Sequence, residues 1–392
     1  MKRSTFISLT TLLAGLYISS WASNNKINND LLAKSNPQVS GLTTNKYSVL
    51  YSFQGGNDGS GPSAGLIAGA DGNFYGTTAA AGGTVFKVTP QGVKTTLYGF
   101  QGGSDQPMAG LMIGADGNFY GTTAYGDGYG TVFKVTPQGV ETTLYSFQGG
   151  NDGAVPYGGL IQDVSGNLYG TTTTGGSNGN GTVFKVTPQG VETTLYSFQG
   201  GNDGASPSAG LMIGADGNGY GTTAYGGSTN NGTVYKITAT GQETVLYSFH
   251  GGDDGAGPLD GLIQDESGNL YGTASTGGSN GNGTVFKITP QGVETTLHSF
   301  QGGADGSYPY AGLIIGADGN LYGTTYGGGY GTVFKITPQG VETILHGFQG
   351  GNDGANPLAG LIQDESGNLY GTTTEGGGSG GGNGTVFKIQ LN

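Results

Sequence analysis

Apolar and polar residues alternate in short runs through most of the chain, and within the repeating unit no apolar residues recur at helical spacing. A Leu-aromatic-small-Phe box ends at Phe53, Phe100, Phe147, Phe198, Phe249, Phe300 and Phe348, at intervals of 47, 47, 51, 51, 51 and 48 residues. A second box, Gly-Thr-Val-Phe/Tyr-Lys, closes at Lys87, Lys134, Lys185, Lys236, Lys287, Lys335 and Lys388. A third, Asn-x-Tyr-Gly-Thr, opens at Asn73, Asn118, Asn167, Asn218, Asn269, Asn320 and Asn368. Seven copies in one order make this a tandem repeat.

The third copy predicts four strands, over 159–162, 168–172, 181–187 and 191–198. Turn chemistry separates them: Asp163 to Asn167 offers side chains that bond their own backbone, and Pro188-Gln189-Gly190 presets one φ and accommodates a positive one. Four short antiparallel strands per unit is the pattern of a propeller blade. The chain ends test this reading. The segment 46–53 matches the fourth strand of a unit, whereas 384–391 matches the third. The expected fold is therefore an all-β, seven-bladed β-propeller over 45–392, closed by the N-terminal strand completing the last blade. A two-residue Pro turn would further set Lys185 opposite Glu192 as a cross-strand ion pair, and in the first blade Lys94 opposite Lys87.

The boxes at 195–204, 166–172 and 181–185 resemble the GloVer tandem-repeat family of exported bacterial proteins, and the resemblance runs from 46 to 390. It implies an exported, β-propeller-like repeat protein, often tethered by a C-terminal sorting segment. The sequence ends directly after its last strand, so the expectation here is a free protein. The family suggests no settled chemistry.

Residues 1–22 show the order of a secretory signal: Lys2 and Arg3, an apolar run from Phe6 to Ile18, then Ser20-Trp21-Ala22. A flexible polar linker over 23–44 follows. No later stretch is long or apolar enough for a helical membrane span. The expected protein is an exported monomer, extracellular or periplasmic. Its 86 glycines and absence of cysteine leave stability to packing, without disulfides or thiolate metal sites. Cutting after Ala22 removes the only arginine and leaves eleven lysines against 26 acids. Such a surface repels nucleic acid and anionic lipid, and without arginine it lacks the bidentate clamp used by sialidase-like sites.

In a propeller, the loops between strands 2 and 3 and those between blades share one face. That face collects the seven Gly-Gly-x-Asp loops, with Asp58, Asp105, Asp152, Asp203, Asp254, Asp305 and Asp353, and all the length variation. Two readings of these aspartates stand: a ring of Ca²⁺ sites, since Gly-rich loops expose carbonyl oxygens, or turns in which Asp bonds a backbone amide. Ca²⁺ is the one cofactor so suggested. The residues that break the repeat on this face are the better candidates for ligand binding: Asp127, Asp253, Tyr125, Tyr129, Tyr225, Tyr326 and Tyr330. Asp260 stands where other copies carry Ala or Gly and should line the central funnel. With Glu375 it offers the carboxylates of a hydrolase or lyase. The three histidines, His250, His298 and His346, each replace a periodic residue and read as structural. The Asn-Gly-Thr sequences at Asn180, Asn231, Asn282 and Asn383 read as turns. The functions to weigh are a non-enzymatic scaffold binding a glycan or a surface protein on the variable face, an enzyme at the funnel, and a purely structural surface component.

Overall fold

The computed structural model describes residues 45–101, 105–378 and 382–391. The expected signal and linker therefore lie outside the described residues. Seven four-stranded antiparallel sheets form the blades of a propeller. In blade 3 the strands are Ile161–Gln162, Leu168–Thr172, Thr182–Val186 and Glu192–Ser197, from the axis outward. Blade 7 takes three strands from the end of the chain, and Lys46–Ser52 pairs with Thr385–Gln390 to complete it. This closure satisfies backbone groups that an open array would leave on two edges.

The innermost strands pair over only two residues each, shorter than the alternation suggests. Around the axis, inner segments of neighbouring blades approach one another closely. A Cβ on Gly210 would come within 2.6 Å of the carbonyl oxygen of Gly159, and one on Gly360 within 3.2 Å of that of Gly312. A ring of threonine hydroxyls ties each blade to the next. Thr171 Oγ1 donates to Ala209 O at 2.7 Å, Thr222 to Asp260 O at 3.1 Å, and Thr372 to Ala64 O at 3.2 Å across the closure.

The hydrophobic core sits between blades. One cluster joins Tyr120, Val132 and Phe147 of blade 2 to Leu160, Leu168, Phe184 and Val186 of blade 3, with the rings of Phe147 and Phe184 edge-to-face at 5.0 Å. Fully burying each such side chain is worth about 1.5–3 kcal/mol. The glycine of the Asn-x-Tyr-Gly-Thr box is required by this packing. A Cβ on Gly170 would stand 2.7 Å from Phe184 Cζ and 2.9 Å from Leu160 Cδ2.

The register corrects the expected Lys–Glu pairing. Lys185 faces Thr193, and Glu192 faces Val186, because the hairpin closes on Thr187 N–H to Val191 O and so holds three residues in its loop. The box lysine lies over an aromatic ring across the other neighbouring strand, Lys185 Nζ being 5.9 Å from the centroid of Tyr169. Lys94 likewise faces Val88 and not Lys87.

Candidate functional site

The Gly-Gly-x-Asp loops are held by their own aspartates. Asp152 Oδ2 accepts the amide of Gln148 at 2.7 Å and the hydroxyl of Tyr145 at 2.9 Å. Asp58, Asp203 and Asp254 repeat the pair of contacts, and at Asp305 and Asp353 a histidine replaces the tyrosine. In these six loops at least one carboxylate oxygen is thus committed to a turn. The hairpin aspartates of the opposite face behave alike: Asp163 accepts from Asn167 and Tyr169. Burial alone would raise its pKa, but these bonds, with the amides of Asn167 and Ser165, together outweigh that and hold it below the usual carboxylate range.

At the ring closure Asp353 meets Tyr47; each of the other six loop aspartates meets the first residue of the next blade's outer strand. That residue is a glutamate in five blades, and burial followed by the neighbouring aspartate pushes Glu243 up to about 7 and Glu342 up to about 8. In blade 1 the position belongs to Lys94, whose Nζ lies 2.8 Å from Asp58 Oδ1, which accounts for the odd lysine in the repeat.

The central channel encloses about 460 Å³. Its wall is built from the repeating small-Gly-Leu segments, and its mouth from the residue that follows each interblade proline: Ser63, Met108, Tyr157, Ser208, Leu259, Tyr310 and Leu358. Because each inner strand descends from an interblade loop, this ring opens on the variable face. Sequence reasoning missed it. The available signal was that the residue after proline differs from copy to copy while the Gly-Leu pair two residues further on is constant.

Two aromatic sectors flank the mouth. Tyr125 and Tyr157 share a short hydroxyl–hydroxyl hydrogen bond. Across the channel, Tyr310 packs 5.4 Å from Tyr326 and 6.2 Å from Tyr308, centroid to centroid. The structure therefore brings Tyr125 and Tyr326 to the mouth. Tyr129 and Tyr330 lie farther out, their rings covering Gly149 and Gly350 of the next interblade loop. In other blades Asn180, Asn231 and Asn282 cover the same glycine, a packing role for the Asn of the Asn-Gly-Thr sequences. Tyr225 is 37% exposed and bridges its backbone to Ala205. Asp127 adopts φ 52 and accepts from Ser146 Oγ at 2.6 Å, and the carbonyl of Asp253 accepts from Thr296.

Asp260 lines the channel one residue below the mouth. Its two oxygens accept the amides of Gly261 and Gly312, both at 2.6 Å, so the carboxylate clasps blades 5 and 6, and burial raises its pKa. Glu375 is exposed, pairs its backbone with Ala355 and does not line the channel. The geometry does not bring these two carboxylates together as a reactive pair. It does bring together a group that the sequence kept apart: ligand atoms of His298, Asp305 and Glu342 lie within 4.8 Å of one another.

The fold and the channel define an all-β propeller of the seven-bladed class, and its likeness to solved structures supports that class. The extracellular domain of BT4673 from B. thetaiotaomicron superposes with a TM-score of 0.58 at 14% identity, over 88% of this chain and 42% of that one, so this chain spans well under half of that structure's length. The WD40 propeller domain of Doa1 superposes with a TM-score of 0.58 at 12% identity, over 89% of this chain and 98% of the other. At such identities the likeness is one of fold. The chain belongs to the Gloeobacter/Verrucomicrobia repeat family, whose pattern it matches over residues 34–164, 81–267 and 209–392. No curated protein matches it.

Proposed function

We propose that the protein is an exported binding module, not a catalyst, and that it holds a saccharide at the mouth of the channel on its variable-loop face. The observation that carries this reading is the ring of residues after the interblade prolines, the position of the inner segment that varies most in chemistry, which places Tyr157 and Tyr310 on the mouth. Tyrosine rings stack on the C–H faces of sugars and their hydroxyls bond sugar hydroxyls. Ser63 and Ser208 add polar groups among Met108, Leu259 and Leu358, the mix of apolar wall and few polar contacts typical of small-ligand sites. A channel of about 460 Å³ suits a small sugar better than a flat protein partner, and the acidic, arginine-free surface disfavours an anionic one. Engagement of both Asp260 oxygens by backbone amides supports binding over hydrolysis.

A glycan-array screen of the chain from residue 23 tests the proposal. Binding to a defined neutral saccharide is expected. An array blank both with Ca²⁺ and with chelator would overturn it.

A further inference from the structure

We propose that His298, Asp305 and Glu342 form a site for a divalent transition-metal ion of the Zn²⁺ type, where the outer strand of blade 6 passes the loop leaving blade 5. The three side chains come from separate elements: His298 from the outer strand Glu294–Ser299 of blade 5, Asp305 from the interblade loop, and Glu342 from the start of the outer strand Glu342–Gly347 of blade 6. Their candidate ligand atoms all lie within 4.8 Å of one another. His298 Nε2 and Asp305 Oδ2 are already 3.3 Å apart, close to the roughly 3.3–3.6 Å that bonds of about 2.0–2.2 Å impose on neighbouring ligands of a tetrahedral ion.

A second observation points into the same space. Glu342 Oε1 is enclosed by protein without a well-formed hydrogen bond among the described residues, and the group it faces is the carboxylate of Asp305, a second anion that a cation would neutralise. The other blades act as internal controls. Where blade 3 meets blade 4, Glu243 Oε1 likewise has no well-formed hydrogen bond, but Tyr196 stands in the place of His298 and Asp203 accepts its hydroxyl, leaving no imidazole. At the ring closure His346 meets Asp353, but Tyr47 occupies the glutamate's place. Where blade 4 meets blade 5, His250 contacts Asp254 and both influence Glu294, but that histidine replaces the exposed box Gln; among the described residues only His298, Asp305 and Glu342 bring their ligand atoms within 4.8 Å of one another.

The donor set, one imidazole nitrogen and two carboxylate oxygens, suits Zn²⁺ and its first-row neighbours and is poor for Ca²⁺, which takes six or more oxygens. The side chains of His298 and Asp305 retain 16% and 19% exposure, which gives an ion a path in and leaves the fourth position to water. Three protein ligands plus water is the arrangement of open zinc sites.

The test uses the tag-free full chain, stripped with chelator and titrated with Zn²⁺ by calorimetry and with Co²⁺ by visible absorption. One equivalent of Zn²⁺ should bind, and Co²⁺ should develop the visible bands of a low-coordinate site. His298→Tyr restores the residue that five blades carry, so it should fold, and it should weaken binding at least tenfold, as should Glu342→Gln. His346→Tyr should bind as the unaltered chain does. Absence of binding, equal affinity in His298→Tyr, or an equal loss in His346→Tyr would overturn the site.

Discussion

Lys94 Nζ lies 2.8 Å from Asp58 Oδ1, with 2% of the lysine side chain exposed, at the position where five other blades set a glutamate against the equivalent aspartate. The ammonium also donates to the carbonyl oxygen of Asp58 and to Thr96, so one residue locks the loop between blades 7 and 1, next to the ring closure. A charge held by several hydrogen bonds and shielded from water is costly to orphan.

Lys94→Met should therefore destabilise the protein by about 1.5–3 kcal/mol, the range for hydrogen bonds to charged groups. Chemical denaturation checks this. A change indistinguishable from that of an exposed lysine such as Lys46 would contradict the role given to the pair.

The five glutamates give stability a definite pH dependence. Burial, with a neighbouring aspartate adding to it, raises their folded pKa values above the ordinary 4.5, to about 7 for Glu243 and about 8 for Glu342. Such groups favour the fold fully below the unfolded value, and their contribution is lost as pH rises through the folded one. The hairpin aspartates, held below 3.8, act oppositely and withdraw stability as pH falls beneath that value. The melting temperature should peak in mildly acidic buffer and decline toward about pH 8, and Glu243→Gln combined with Glu342→Gln should flatten the decline. Equal melting temperatures at about pH 5 and about pH 8 in the unaltered chain would refute the assignment.

Tyr235 replaces the phenylalanine of the Gly-Thr-Val-Phe-Lys box in blade 4. Its hydroxyl is buried without a partner among the described residues, 2.5 Å from where a Cβ on Gly221 would stand. Restoring the repeat with Tyr235→Phe removes an unsatisfied polar atom and should stabilise the protein by about 1 kcal/mol. Thermal melts decide it, and a loss of stability would show that the hydroxyl is satisfied in solution.

The blades and their closure were legible in the sequence because periodicity repeats the same evidence seven times: the match of 46–53 to a fourth strand identified the partner of Thr385–Gln390. Pairings that hang on a turn's length were not. One extra residue in the loop after Thr187 moved Glu192 from Lys185 to Val186 and turned its carboxylate toward Asp152. Asp260 was placed in the channel from its register, yet its bond to Gly312 crosses between blades, and no spacing within one copy reveals that. His298 read as structural because its partners, Asp305 and Glu342, are supplied by the next loop and the next blade. The mouth ring was overlooked for a simpler reason. Asp and the exposed loop tyrosines draw attention as chemistry, whereas Ser, Met and Leu after proline do not.

The most direct test of saccharide binding at the mouth is calorimetric titration of an array-identified sugar against the unaltered chain, Tyr157→Ala, Tyr310→Ala and, as an outer-face control, Tyr129→Ala. The account predicts at least a tenfold loss of affinity in Tyr157→Ala or Tyr310→Ala, and none in Tyr129→Ala. Undiminished binding in both mouth variants, or a loss confined to Tyr129→Ala, would contradict it.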